Sequence, residues 1–285
     1  STIDDERVLE SFIKESRPDG LYGQYLKLAQ LGVIIPEARL IAVHGGLHPN
    51  NIGRVPGMPP EEYQIELASV WIHRLNTWYR KQVALWEQFD TTTLTPTACT
   101  ELDEFALPLS PNKQIMTSDY LNPKRQFIPI PIAVVEYLED NQLQLVLGGH
   151  QPCGDHPAII RDETCLVING DTGYSNPQAS PQGGTRGLAS HCLEVVAHCD
   201  SVDIQLQAMM SDGQKATTEF GLHPGYIKGD SYVGLVSNQH ELVQCRLENG
   251  NYRLIQQNGF NVEYKERSLE SMEMLFPTVL SGYRK

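Results

Sequence analysis

The 285-residue chain contains no apolar run approaching the ~20 residues needed to cross a bilayer, so no membrane span is expected. Positive charge is also scarce: 22 Lys and Arg stand against 35 Asp and Glu, a net charge of −13. That balance cannot build a broad basic surface, and nucleic acid is therefore not an expected partner. It does not exclude a small phosphorylated substrate, because a bound metal can reverse the field inside one cleft. The six cysteines (Cys99, Cys153, Cys165, Cys192, Cys199, Cys245) include no Cys-x-x-Cys pair, which argues against both a zinc knuckle and a disulfide framework. Asn-x-Ser/Thr sequons are absent as well, in keeping with an intracellular, soluble chain. The N-terminus from Ser1 to Arg7 has no initiator Met, no basic flank and no signal-type apolar stretch, and it reads as a processed or trimmed end. No fixed-period repeat or low-complexity tract is present.

What the chain does have is enough apolar material, 40% of its residues, to bury the core of one large domain or two modest ones. Val8, Leu9, Phe12 and Ile13 fall at helical intervals behind an acidic first turn, and helical spacing resumes from Leu21 to Leu31. Between Pro60 and Phe89, Leu67, Val70, Trp71, Leu75, Trp78 and Val83 recur every three or four positions, which predicts the longest helix. Residues 90–131 show little periodicity and six prolines, the composition of an irregular insertion. From Val202 onward strand-like runs are separated by the hairpin signals Ser211-Asp212-Gly213 and Glu248-Asn249-Gly250-Asn251, predicting a β-rich C-terminal region.

Three short apolar runs end in turns that carry functional side chains. Leu40 to Val43 stops at His44-Gly45-Gly46, Leu143 to Leu147 stops at Gly148-Gly149-His150, and Leu166 to Ile168 leads to Asn169-Gly170-Asp171. A buried strand that ends in glycines lets a ligand or metal approach closely, and an imidazole at such a tip is placed to face a cleft.

The full contexts are more specific than the single histidines. Val43-His44-Gly45-Gly46-Leu47-His48-Pro49 resembles the Val-His-Gly-Gly-Leu-Ser-Pro element of the calcineurin-like metallophosphoesterases, in particular their serine/threonine phosphoprotein phosphatase branch. Gly149-His150-Gln151-Pro152 resembles the Gly-His-Thr-Pro element of that superfamily, and Asp171-Thr172-Gly173-Tyr174 resembles the Asp-Thr-Gly element that follows it in bacterial-type members. The resemblance runs from about Leu21 to Asn176 with the three elements in order. It implies an α/β fold, part of a four-layer αββα sandwich with mixed β-sheets: residues 1–177 would be the C-terminal half of the phosphoesterase domain, and residues 178–285 a β-rich region continuing it or packing on it. It implies that His44 and His150 bind the second metal of a dinuclear site, in which two divalent ions activate a water for in-line attack on phosphorus. Imidazole ligands suit Mn, Fe or Zn. Tyr174 is a candidate substrate contact or else a packing tyrosine. Arg54 and Arg186, in glycine-bearing loops, are candidates to clamp a phosphate or else solvated loop charges. His48, His156, His191 and His198 have no counterpart in the family and are read as structural.

The three acidic motifs with which the family opens, Gly-Asp-x-His, Gly-Asp-x-x-Asp-Arg-Gly and Gly-Asn-His-Glu/Asp, do not occur. The Gly-Asp pairs at Asp155, Asp171 and Asp230 lack the required continuations. Two neutral imidazoles do not offset two divalent ions, so competence requires further ligands. The expected partners are therefore an N-terminal fragment of the same precursor carrying those ligands, and a phosphorylated substrate. The alternative is a catalytically inactive phosphatase-fold subunit with a binding or structural role.

Overall fold

The computed structural model describes residues 4–58, 67–88, 101–102, 105, 114–173 and 185–277. Helix α1 (Asp5–Glu15) is capped by Asp4, whose carboxylate accepts from the Glu6 N–H at 2.8 Å, and it ends beyond the favourably placed Lys14. Helix α2 (Leu21–Leu28) is shorter than the sequence pattern predicts. Ala29 is already extended, and strand β1 (Gly32–Ile35) turns back through a 3-10 turn to pair antiparallel with β2 (Leu40–Val43). The connection from α2 into β1 is held by Asn76, which accepts from the Leu31 and Gly32 N–H groups and donates to the Gly32 carbonyl.

Helix α3 (Ala68–Glu87) forms within the stretch from Pro60 to Phe89 that the apolar spacing predicts, starting only after the extended Leu67, and buries Trp71, Ile72, Leu75 and Trp78. Within the 90–131 segment, where an irregular insertion is expected, the described residues Glu101, Leu102 and Phe105 are helical, and those from Gln114 onward form turns, irregular stretches and one isolated bridge, Leu121 to Phe127. Helix α4 (Ile132–Asp140), which periodicity does not single out, follows Pro131 and leads directly into β3 (Leu145–Gly148). Strand β4 (Ala158–Arg161), equally unmarked in the sequence, pairs with β5 (Leu166–Asn169). The resulting five-stranded sheet has the order β1-β2-β3-β5-β4, with β2, β3 and β5 parallel and both outer strands antiparallel.

Both faces of this sheet are covered, which is why its strands are continuously apolar. Register rows alternate between two cores. Ile41, Val146 and Val167 lie opposite one another and pack with Trp71, Leu75, Val134 and Leu138 of the helices. The next row, Leu40, Leu145 and Leu166, packs with Ile204, Leu206, Phe220 and Leu222 of a second, antiparallel sheet.

That second sheet is β6 (Ser190–Ala197), β7 (Val202–Met209), β8 (Lys215–His223) and β9 (Tyr226–Gly229) in sequential order. A three-stranded meander, β10 (Glu241–Arg246), β11 (Tyr252–Asn258) and β12 (Asn261–Arg267), adds Val243 and Leu254 to the same core, and helix α5 (Leu269–Leu275) seals it with Met272. The C-terminal region is β-rich as expected, with hairpins at both signalled turns, and it begins one strand earlier than Val202. Among the described residues the molecule is thus a mixed α/β structure in which helices, the mixed sheet and the antiparallel strands form successive layers. No described helix is long and apolar enough to cross a membrane.

Candidate functional site at the tips of three parallel strands

Because β2, β3 and β5 are adjacent and parallel, the three signature turns emerge side by side at one edge of the sheet. In open α/β sheets the carboxyl ends of parallel strands are where ligands bind. The turns are joined by backbone hydrogen bonds: the Gly149 N–H donates to the His44 carbonyl at 2.7 Å and the Gly170 N–H to the Gly148 carbonyl at 2.9 Å. Two glycines make this contact possible. A Cβ on Gly148 would lie 2.0 Å from the Gly45 carbonyl oxygen, and one on Gly45 would lie 2.8 Å from the carbonyl oxygens of Ile115 and Met116.

The approach of the tips brings His44 and His150 together, with ring centroids 5.2 Å apart and planes inclined by 54°. His44 is exposed and His150 half-buried. His150 has φ +70°, and the Gln151 N–H donates to the Gly149 carbonyl at 2.9 Å, closing a tight γ-turn around it. A left-handed backbone at a non-glycine residue costs about 1–3 kcal/mol and persists only where the surroundings impose it. Here Asn169 Nδ2 holds the Gln151 carbonyl at 2.6 Å, and Arg125 Nη2 donates to Gln151 Oε1 at 2.5 Å. The His150 imidazole is held below its ordinary pKa, first by burial and then by the neighbouring His44, with Asp171 opposing. Its neutral form is the one that ligates metals.

The other candidates are placed less directly. Asp171 accepts from the Gly173 N–H at 2.7 Å, which shapes the Asp-Thr-Gly turn. Arg186 is exposed and its side chain lies over Gly173, where an added Cβ would come 2.7 Å from its Cγ. Arg54 is fixed at its backbone, its carbonyl accepting from Trp71 Nε1 at 2.9 Å, in the loop that Asn51 anchors through Gly46 and Ser118. Tyr174 lies outside the described residues.

Two residues at the site are not evident from the sequence. Arg125, with φ +58°, bridges Gln151 and Asp119 and is the cation whose charge acts on His150. It belongs to a turn with no motif of its own, and only folding brings it near. His191 on β6 stands beside Gly170, with Nε2 3.6 Å from the position of a Cβ there. Its imidazole is also held below its ordinary pKa by burial, with Asp171 pulling the other way.

The imidazole pair fits a shared cation. Two histidines coordinating one ion tetrahedrally at ~2.0–2.1 Å place their ring centroids roughly 5 Å apart. No group of three His, Cys, Asp or Glu side chains among the described residues could hold a metal, so His191 and Asp171 do not complete the set. Compared with known proteins, the chain matches no family model, no curated protein and no solved structure.

Proposed function

We propose that this chain is the half of a dinuclear metallophosphoesterase that contributes His44 and His150 to one of two divalent ions, Mn, Fe or Zn, and that it acts on a phosphomonoester once the remaining ligands are supplied. The observation that carries this reading is the approach of the two rings to 5.2 Å at neighbouring parallel strand tips. When bound, the ions supply an activated water and neutralise charge on the phosphate. The chain's own residues then do the rest: His150 is oriented by its γ-turn, and Arg125, whose Nη groups hold Gln151 and Asp119, sets a positive charge beside the site that favours an anionic oxygen. Arg186 and Tyr174 remain candidate substrate contacts beside Gly173, and Arg54 a candidate on the loop after His44.

The missing carboxylates would come from a separate N-terminal fragment within the four-layer αββα sandwich. Support comes from exposed apolar side chains: Val33 and Ile35 on the edge strand β1, and Leu9, Phe12 and Ile13 on α1, which buries none of its own residues. The alternative, an inactive phosphatase-fold subunit, is favoured by the lack of any three-residue metal-binding group among the described residues. Metal analysis and intact-mass measurement of natively purified protein separate the two. Two ions per complex, a second polypeptide and phosphomonoester hydrolysis are expected, with His150→Ala losing one ion and the activity. Undiminished turnover in His150→Ala defeats the proposal.

A further inference from the structure

Strand β6 presents one row of side chains to the antiparallel sheet's buried face, at positions 191, 193 and 195. Val195 is paired with Ile204 and Leu193 with Leu206, and both members of each pair pack in the core. At the third position the pattern breaks, since His191 is paired with the small residue Ala208, which is itself paired with Ala216. An imidazole here is not filling the core. Its Nε2 end reaches past the sheet to the tip of β5 and meets Gly170, where no side chain intervenes between it and the strand-tip turns. No hydrogen bond holds the ring among the described residues. A half-buried imidazole that feels the charge of Asp171 and neighbours the buried His156, yet makes no hydrogen bond among the described residues and faces small residues across the sheet, is placed at the strand-tip edge to meet a ligand.

The geometry points to His191 as a substrate-binding residue of the strand-tip site, donating from Nε2 to a phosphate oxygen. This rests on the phosphoesterase reading above and adds the residue that reads the substrate from the antiparallel sheet. Substrate rather than metal is the ligand, because His191 joins no three-residue group able to hold an ion among the described residues. Arg125 approaches the same edge from the 115–130 segment, which packs with the helical layer, so Arg125 beside Gln151 and His191 beside Gly170 reach the strand tips from opposite faces of the mixed sheet. A tetrahedral oxyanion, with acceptors on all sides, suits donors that converge from two layers.

The test is orthophosphate binding by calorimetry to the natively purified, metal-loaded protein, with metal content measured on each variant. His191→Asn should weaken phosphate about tenfold or more, the loss of one hydrogen bond to a charged oxygen. His191→Gln, whose side-chain nitrogen can stand in for Nε2, should restore most of the affinity. Metal content and unfolding temperature should be unchanged in both. Equal phosphate affinity in wild type and His191→Asn overturns the inference and leaves the phosphoesterase reading standing. Loss of metal in His191→Asn overturns the substrate-binding role by making His191 a ligand. A wild-type protein that holds neither metal nor phosphate overturns the phosphoesterase reading and the inference with it.

Discussion

Gly148 presses against the carbonyl of Gly45 so closely that the smallest side chain at position 148 would overlap the oxygen at 2.0 Å. The two strand tips can carry their histidines into one site only because this position has no Cβ.

Gly148→Ala should therefore force the tips apart. Overpacking of this kind costs about 1–3 kcal/mol, and backbone rather than a flexible side chain is in the way here. Urea unfolding should show a loss near the top of that range, together with weaker metal binding. Gly149→Ala is the control: its Cβ would sit 3.4 Å from the His44 carbonyl, an ordinary contact, and stability should stay within about 0.5 kcal/mol.

Arg125→Ala should weaken orthophosphate binding about tenfold by removing the cation beside the site, with a smaller loss of metal affinity because the Gln151 side chain next to the His150 turn is released. Arg125→Lys should recover only part of the affinity, because an ammonium cannot reproduce the fork that spans Gln151 and Asp119. Equal affinity in wild type and Arg125→Ala would remove Arg125 from the site.

His156 gives a pH dependence of defined sign. It is fully buried, its Nδ1 donates to the Pro157 carbonyl at 2.7 Å, and Nε2 has no partner among the described residues. Burial, the main cause, pushes its pKa from 6.5 down to about 4. Between those values the unfolded chain binds a proton that the folded chain refuses, so stability falls as pH drops through 6.5 and levels off near 4. The contribution lost is roughly 3 kcal/mol. Denaturation measured at pH 7 and pH 4.5 should show the decline, and His156→Gln should flatten it.

Periodicity is sufficient for α1, α3, the three parallel strands and the C-terminal hairpins, because each carries its own pattern of apolar residues and turn signals. It misplaces the end of α2, whose helical spacing runs to Leu31 although the helix stops at Leu28, and it does not mark β1, which forms by pairing with β2. It fails again for α4 and β4, short elements whose apolar runs fit helix and strand alike until a sheet supplies neighbours.

At the site, His44 and His150 are legible because each ends a strand in a recognisable turn. Arg125 and His191 are not. Arg125 sits in a turn that becomes relevant only when Gln151 meets it, and His191 resembles any inward position of a β-strand until Gly170 is found beneath it.

The amino-acid sequence by itself determined which strands would be buried on both faces and which turns would end in imidazoles, since apolar runs and glycines act locally on the backbone. Only the tertiary structure decided that β2 and β3 lie side by side and parallel, that two histidines far apart in the chain share a 5.2 Å contact, and that the antiparallel sheet offers a third imidazole to the same edge. The physical reason is that strand order and layer stacking are set by how the whole chain buries its two cores, and no short stretch of residues encodes that choice.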